Sequence, residues 1–263
     1  MTEPAVSAPG VRPAERPLAV VVLAAGRGTR FPGVASKVLV ELAGRSLLRR
    51  VLDAVATLAA ERVVVVVGHG KEHVVRALDG TGVETVEQGE PRGTGHAVSA
   101  AARRLGDRAY DVVVVNGDVP LLRPETLLRL RATLRAPEVA AGLLTAVVDD
   151  PAAYGRIIRR ADGGVEAIVE AADASDAELA IREINVGGYA LRAPRLFADL
   201  AALGTDNVQG ECYLTDAVRL LTAAGERVVA VPVGEASEAL GVNSAADLAA
   251  LEELIGAGAA AGG

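Results

Sequence analysis

The amino-acid sequence predicts an α/β protein with a doubly wound, mostly parallel sheet. Val-rich runs that are apolar on both faces occur at 18–24, 62–68 and 111–118. Such runs are typical of parallel strands buried between helices. Amphipathic or Ala-rich stretches separate them, which is the alternation that a doubly wound sheet requires. In this class, ligands bind at the carboxyl ends of the strands, so the loops that follow them are the first places to look for a site.

Periodicity and Gly or Pro signals predict the other elements. Pro124 suits the first turn of a helix, and the glycines at 163–164 predict a hairpin turn within 154–170. A hairpin inserted beside an α/β core commonly supplies the pocket of a second substrate, although it also serves as plain scaffold. Helices are expected at 46–59, 71–78, after 93–95, from 124, at 194–202, 210–223 and 245–255, and further strands at 82–87, 182–191 and 227–233.

Composition limits the functions that the chain can have. Its 263 residues suffice for a sizeable core, and residues 1–17, 18–255 and 256–263 are interpreted as a disordered tail, one domain with an insertion at about 150–190, and a flexible tail. A net charge of -7, 2% aromatic residues and no Trp argue against nucleic-acid binding. The single Cys212 excludes an internal disulfide and favours a reducing cytoplasm. No apolar run approaches the roughly 18 residues that predict a membrane span.

A glycine-rich loop follows the first predicted strand. Between Ala24 and Val40 it carries three cations and no acid. The loop fits neither a dinucleotide motif, because Phe31 stands at the third glycine, nor a P-loop, because Val34 stands where Lys is needed. It is either a backbone-amide cradle for a triphosphate, neutralised by cationic side chains, or a turn with surface arginines.

Two further motifs follow predicted strands. Asp118 directly follows a buried run, where it is either a turn former or, beside a polyphosphate loop, an anchor for Mg²⁺. Gln88 precedes a Gly-Thr-Gly turn into a helix, and its amide has both a donor and an acceptor for a pyrimidine edge. The simpler interpretation of that turn is a helix N-terminus capped by Thr94.

Taken together, the motifs resemble a known family over about 18–255. "LAAGRGTRF…SKVL", "QGEPRGTGHA", "NGDVPLL", "DDPAAYGRI", "IVEAADA", "EINVGGYAL", "NVQGECYLTDAV" and "GVNSAADL" occur in order. This set resembles the uridylyltransferase domain of the bacterial bifunctional N-acetylglucosamine-1-phosphate uridylyltransferase/glucosamine-1-phosphate acetyltransferases. The resemblance implies a three-layer, Rossmann-like nucleotidyltransferase fold (GT-A-like) with a β-hairpin insertion. It also implies Mg²⁺-dependent synthesis of UDP-N-acetylglucosamine, a peptidoglycan precursor, and pyrophosphate from UTP and N-acetylglucosamine 1-phosphate.

The resemblance assigns roles residue by residue. It makes Arg30 and Lys37 the catalytic cations, and Asp118 and Asn243 the Mg²⁺ ligands. The substrate-binding positions that it implies are Leu23, Ala24, Ala25, Gly26, Gln88, Gly93, Thr94, Asn116, Gly117, Gly155, Glu170, Asn185 and Asn243.

The chain also departs from the family pattern. Ser36, Val40 and Cys212 replace the usual Pro, His and aromatic residue. No hexapeptide-repeat acetyltransferase segment follows, so acetyl transfer is not expected, and the oligomeric state is left open. Two alternatives stay open: a nucleotidyltransferase for another nucleoside triphosphate or sugar 1-phosphate, and a non-catalytic nucleotide-binding sensor.

Overall fold

The protein is described by a computed structural model that covers residues 16–26, Phe31 and residues 33–261. Strands and helices alternate along most of the chain, as the sequence predicts. The strands are β1 (Leu18–Ala24), β2 (Glu41–Leu42), β3 (Arg45–Ser46), β4 (Arg62–Val67), β5 (Glu84–Glu87), β6 (Asp111–Asn116), β7 (Val139–Val147), β8 (Arg156–Arg159), β9 (Val165–Val169), β10 (Glu183–Arg192) and β11 (Arg227–Pro232). The helices are α1 (Leu47–Ala56), α2 (Lys71–Ala77), α3 (Thr94–Leu105), α4 (Pro124–Ala132), α5 (Asp176–Leu179), α6 (Arg195–Ala201), α7 (Thr215–Ala223) and α8 (Ala245–Ala261).

The main sheet has the order β11-β7-β10-β6-β1-β4-β5. Neighbouring strands in it are parallel except at β10, which runs antiparallel to both β6 and β7. The hairpin β8–β9 joins the sheet through the pairing of Arg156 in β8 with Ile184 in β10. Because β10 is reversed, it begins at the edge where the parallel strands end, so its first residues face the expected site.

Two apolar layers enclose this sheet. Val20, Val22 and Val113 pack towards α1, α2 and α4, whereas Val21 and Val112 pack towards α3, α6 and α7. Alternate residues of each strand thus enter opposite cores, which is why these runs are apolar throughout. The three-layer α/β fold and its mostly parallel sheet are confirmed. In the described part of the chain, no helix is long and apolar enough to cross a membrane.

Several elements differ from the sequence-based expectation. Helix α7 begins at Thr215 instead of residue 210, since the backbone of Cys212 is hydrogen-bonded to Arg92 and Gly95. The last helix continues through residues 256–261, expected as a flexible tail, to Ala261. Alanine has the highest helix propensity, which offsets a cost of about 1 kcal/mol for each glycine. Residues 1–15 of the expected N-terminal tail lie outside the described residues.

Candidate functional site

Three polar side chains from distant parts of the chain meet at the carboxyl edge of the sheet. The Lys37 Nζ atom donates to a carboxylate oxygen of Asp118. It also donates to the Asn243 Oδ1 atom, 206 residues away in sequence, at 2.9 Å. The Lys37 and Asp118 side chains are only 14% and 22% exposed, so their attraction is less screened than that of a surface ion pair. One ammonium group therefore bridges two oxygen acceptors.

Backbone hydrogen bonds fix the segments that carry these side chains. The Gly117 N–H donates to the Leu23 carbonyl at 2.8 Å, which joins the ends of β6 and β1. A Cβ atom at position 117 would lie 2.9 Å from that same oxygen, so glycine permits the close approach. The Val242 N–H donates to the Asp118 carbonyl at 2.9 Å. This second bond brings Asn243 beside Asp118.

The start of α8 holds Asn243 in place. The N–H groups of Asn243 and Ser244 both donate to the Asp247 Oδ2 atom at 2.8 Å. The Ser244 hydroxyl accepts from the Asp247 N–H at 3.2 Å in return. This reciprocal cap satisfies donors that the helix cannot satisfy internally and places a carboxylate at its positive end. Asn243 is therefore fixed by a helix terminus although it lies in a loop.

A cavity of about 530 Å³ opens between the end of β1 and the start of α3. Gln88 is only 7% exposed, and its Nε2 atom donates to the Gly93 carbonyl at 3.0 Å and lies 3.2 Å from the His96 Nδ1 atom. These contacts fix the orientation of the amide. The expected substrate-binding residues that line the cavity are Leu23, Ala25, Gly26, Gln88, Gly93, Thr94 and Asn116.

The loop that enters α3 is shaped by the segment before α7. A Cβ atom on Gly93, where φ is +96°, would lie 2.4 Å from the Cys212 carbonyl oxygen. The Thr94 hydroxyl accepts from the Leu214 N–H at 3.0 Å. Thr94 does not cap its own helix, because Gly93 is the N-cap residue. Its hydroxyl instead joins α3 to the start of α7.

A second cavity of about 210 Å³ lies beside the β8–β9 hairpin and the start of β10. Gly155, Glu170, Asn185 and Asn243 line it. The Asn185 Nδ2 atom donates to the Tyr189 hydroxyl at 2.7 Å. The inserted hairpin therefore contributes to the wall of a polar pocket.

Burial changes the ionisation of this pocket. The pKa of Glu170 is raised, chiefly because burial disfavours the carboxylate, and a hydrogen bond at 3.0 Å from the Thr215 hydroxyl opposes the rise. Burial also raises the pKa of Tyr189 far above its usual range, so this hydroxyl stays neutral. The pocket thus combines a buried carboxyl group with neutral hydroxyl and amide groups.

The two cavities share a wall formed by Leu23, Thr94, Asn116 and Asp118. Asn116 reaches this wall because Gly187, where φ is +84°, leaves room for its amide; a Cβ atom there would lie 2.1 Å from Asn116 Nδ2. Ligands that occupy the two cavities would therefore be neighbours, with Asp118 and the Lys37 ammonium beside their junction.

Residues 20–262 match the family described as the MobA-like NTP transferase domain. The chain belongs to this family. It is 46% identical over 246 residues to the bifunctional protein GlmU of Sorangium cellulosum, covering 91% of this chain and 52% of the relative. It is 48% identical over 235 residues to bifunctional protein GlmU of Burkholderia orbicola, covering 89% and 51%. The family resemblance of the motifs is confirmed, and the chain spans about half the length of the curated relatives it matches.

Solved structures share the fold of this NTP transferase. A crystal structure of UDP-glucose pyrophosphorylase complexed with UDP-glucose superimposes with a TM-score of 0.72 at 18% identity, covering 91% of this chain and 98% of that one. An apo UDP-glucose pyrophosphorylase gives 0.73 at 17% identity. At this identity the likeness bears on architecture alone.

Most of the predicted site residues of the NTP transferase lie together. Those named above as lining residues surround the two cavities, and Lys37 lies at their junction. Ala24 is buried at the end of β1, and Gly117 acts through its backbone N–H. Arg30 lies outside the described residues. The catalytic and binding roles of all these residues stay predictions.

Sequence reasoning missed Tyr154, whose hydroxyl accepts from the Gly241 N–H at 3.0 Å. Burial is the main cause that raises the pKa of this phenol, and the charge of Asp118 adds to it. The available signal is its position directly before Gly155, which the family resemblance makes a substrate-binding residue. A contact 87 residues away could not be read from that neighbourhood.

The donor set of the junction fits a divalent cation. Asp118 and Asn243 present a carboxylate and an amide oxygen, and both already point at the positive charge of Lys37. Mg²⁺ prefers oxygen ligands and commonly takes few from the protein, completing its shell with water and substrate phosphates. Within the described ranges, no group of three His, Cys, Asp or Glu residues is placed to hold a metal by itself. A metal held by Asp118 and Asn243 would complete its shell with water and phosphate oxygens.

Proposed function

We propose that this NTP transferase makes UDP-N-acetylglucosamine and pyrophosphate from UTP and N-acetylglucosamine 1-phosphate, with Mg²⁺ as cofactor. The observation that carries the proposal is the Lys37 ammonium, which bridges Asp118 and Asn243 beside the wall that two cavities share. A nucleotide in the larger cavity and a sugar phosphate in the smaller one would bring their phosphates to this junction. The motif resemblance, which extends to the curated relatives of this chain, implies the same substrates.

The reaction needs no general base. An anionic oxygen of the sugar phosphate attacks the α-phosphorus of UTP, and a new phosphorus–oxygen bond forms. The bond from that phosphorus to the oxygen bridging the β-phosphorus breaks, and pyrophosphate leaves with the electron pair. Catalysis then consists of orienting two polyanions in line and stabilising the charge that develops.

The residues around the cavities have different roles in binding the substrates and stabilising charge. Gln88 and the Gly93 backbone orient the uracil ring, and Glu170 and Asn185 bind the sugar. Lys37, together with Arg30 of the glycine-rich loop, neutralises the α-phosphate and the leaving pyrophosphate. Asp118 and Asn243 would hold Mg²⁺, which when bound offsets phosphate charge and fixes phosphate orientation. Since UTP, the sugar 1-phosphate and the sugar nucleotide formed from them are all water-soluble, we place the enzyme in the cytoplasm, without a nucleic-acid or membrane partner.

The test is pyrophosphate release with each nucleoside triphosphate against a panel of sugar 1-phosphates, with and without Mg²⁺. We expect release with UTP and N-acetylglucosamine 1-phosphate, and only with the metal. Pyrophosphate release with only another pair of nucleoside triphosphate and sugar 1-phosphate would mean that those compounds are the substrates. No release from any pair would favour a nucleotide-binding sensor.

Asp118→Asn tests the metal assignment. The amide keeps an oxygen but loses the negative charge that attracts the cation, so we expect the Mg²⁺ titration of pyrophosphate release to shift to higher concentration by at least tenfold. Asp107→Asn, an exposed change at the far edge of the sheet, is the control. An unchanged titration curve for Asp118→Asn would contradict the assignment.

A further inference from the structure

Arg156 is a buried cation in the first position of β8. It is 3% exposed, and its guanidinium donates to four backbone carbonyls. The acceptors are Pro151 at 3.5 Å, Ala152 at 3.1 Å, Leu179 at 3.4 Å, and Tyr154. Across the described ranges, no ion pair includes this guanidinium. A buried charge is tolerated only when its donors are satisfied, and here the backbone of the preceding loop and the end of α5 satisfy them.

That loop has a conformation which needs support. Ala152 adopts a φ of +41°, which is rare for a residue with a Cβ atom. The Tyr154 N–H donates to the Pro151 carbonyl at 3.1 Å, so the turn is tight. A backbone of this kind persists when surrounding contacts over-determine it. Arg156 provides such contacts, because the forked guanidinium group donates to the carbonyls of Ala152 and Tyr154 at the same time.

The loop in turn contacts two other walls of the site. The Tyr154 hydroxyl accepts from the Gly241 N–H at 3.0 Å, two residues before Asn243. The Gly155 carbonyl accepts from the Asn185 N–H at 2.8 Å. A displacement of the loop would therefore change both the smaller cavity and the position of the segment that carries Asn243.

Stability alone does not account for an arginine at this position. A buried ionic group is often replaced by apolar residues of similar volume without loss of stability. What an apolar side chain cannot supply is a planar set of donors that fixes several carbonyls in one geometry. The role that uses this property is orientation of the loop.

We propose that Arg156 is a positioning residue for the acceptor half of the reaction. It holds Tyr154 and Gly155 at the smaller cavity and, through the Tyr154 hydroxyl, steadies the segment of Asn243. The inference rests on the proposed function, in which that cavity takes the sugar 1-phosphate. Arg156 lines neither cavity and does not touch substrate in this scheme.

The kinetic test compares Arg156→Met, Arg156→Lys and the control Arg159→Met. Arg159 lies on the same hairpin but pairs with Glu183 at the surface. For Arg156→Met we expect the KM for the sugar 1-phosphate to rise at least tenfold, since small misplacements of binding groups are costly. The KM for UTP should stay within twofold. Arg156→Lys, which retains the charge but not the fork, should fall between Arg156→Met and wild type, and Arg159→Met should match wild type.

Hydrogen exchange on the unliganded protein supplies a readout that does not depend on activity. In the Arg156 variants, exchange should accelerate at 151–155 and 241–243 and stay unchanged at 88–97. Equal rises in both KM values, or unaltered exchange at 241–243, would overturn the inference. If Arg156→Met does not fold, Arg156→Lys carries both measurements. If wild type releases no pyrophosphate, the proposed function fails. The exchange experiment still shows whether Arg156 fixes the segments 151–155 and 241–243.

Discussion

At the scale of single residues, Lys37 has two partners that are themselves candidate metal ligands. Its ammonium holds Asp118 and Asn243 together, and in the proposed reaction the same charge lies near the phosphates. The side chain therefore has a structural contact and, in the proposed reaction, a different, electrostatic task. Its removal tests the second task.

Lys37→Ala should lower kcat by about 10²–10³, the usual cost of removing one preorganised group that stabilises transition-state charge. The fold should persist, because the lost contacts lie at the edge of the sheet. Lys71→Ala is the matched control, since that lysine pairs with Glu87 and neither side chain lines a cavity. Initial-rate measurements of pyrophosphate release check the prediction, and a near-wild-type kcat for Lys37→Ala would contradict it.

Glu170→Gln should change how stability depends on pH. Burial raises the pKa of Glu170 in the folded protein above its unfolded value. Between those two values the folded state binds more protons, so the free energy of unfolding of wild type falls as pH rises. The glutamine variant lacks this loss, so its free energy of unfolding minus that of wild type should increase from pH 4 to pH 7. Urea unfolding across that range measures this difference. A difference that decreases with rising pH would contradict the burial argument.

At the scale of elements, the start of α3 depends on a segment more than a hundred residues later. The Gly95 N–H donates to the Cys212 carbonyl at 2.8 Å, and the Cys212 N–H donates to the Arg92 carbonyl at 2.8 Å. These bonds fix the entry to α3, which forms one side of the larger cavity. The helix is placed by this pairing as much as by its own propensity.

Gly93→Ala tests that placement. The added Cβ would collide with the Cys212 carbonyl and adopt an unfavourable φ, so we expect the free energy of unfolding to fall by about 1–3 kcal/mol and the KM for UTP to rise. Gly225→Ala, where φ is +76° but open space surrounds the Cβ position, isolates the cost of φ. Equal losses in the two variants by urea unfolding would show that the contact with Cys212 is unimportant.

At the scale of the whole molecule, the sequence predicts the fold better than it predicts long-range contacts. The strands β1, β4 and β6 are recognisable because both faces are apolar. Strand β7 is not among the predicted strands, since its Ala, Gly and Leu residues carry no distinctive period and its burial comes from pairing with β10 and β11. The junction residues follow from a family resemblance. The bond of Tyr154 to Gly241 depends on how distant loops meet, which no local pattern encodes.

Nucleotide binding should stabilise the whole domain. UTP with Mg²⁺ at 100 times its Kd should add about 2.7 kcal/mol to the free energy of unfolding, by mass action. The same increment is expected in Glu170→Gln, because Glu170 lines only the smaller cavity. Unfolding with and without UTP measures both values. A smaller increment in the variant would mean that UTP also depends on the second cavity.

The reversed strand β10 runs from the edge of the sheet that carries the cavities to the opposite edge. Its first residues reach the cavities, whereas its last residue, Arg192, pairs with Asp111 at the opposite edge. Exposed positions at that edge, such as Asp107 and Arg195, face away from both openings. Immobilising the protein on a sensor surface through such a position would leave both entrances open to solution.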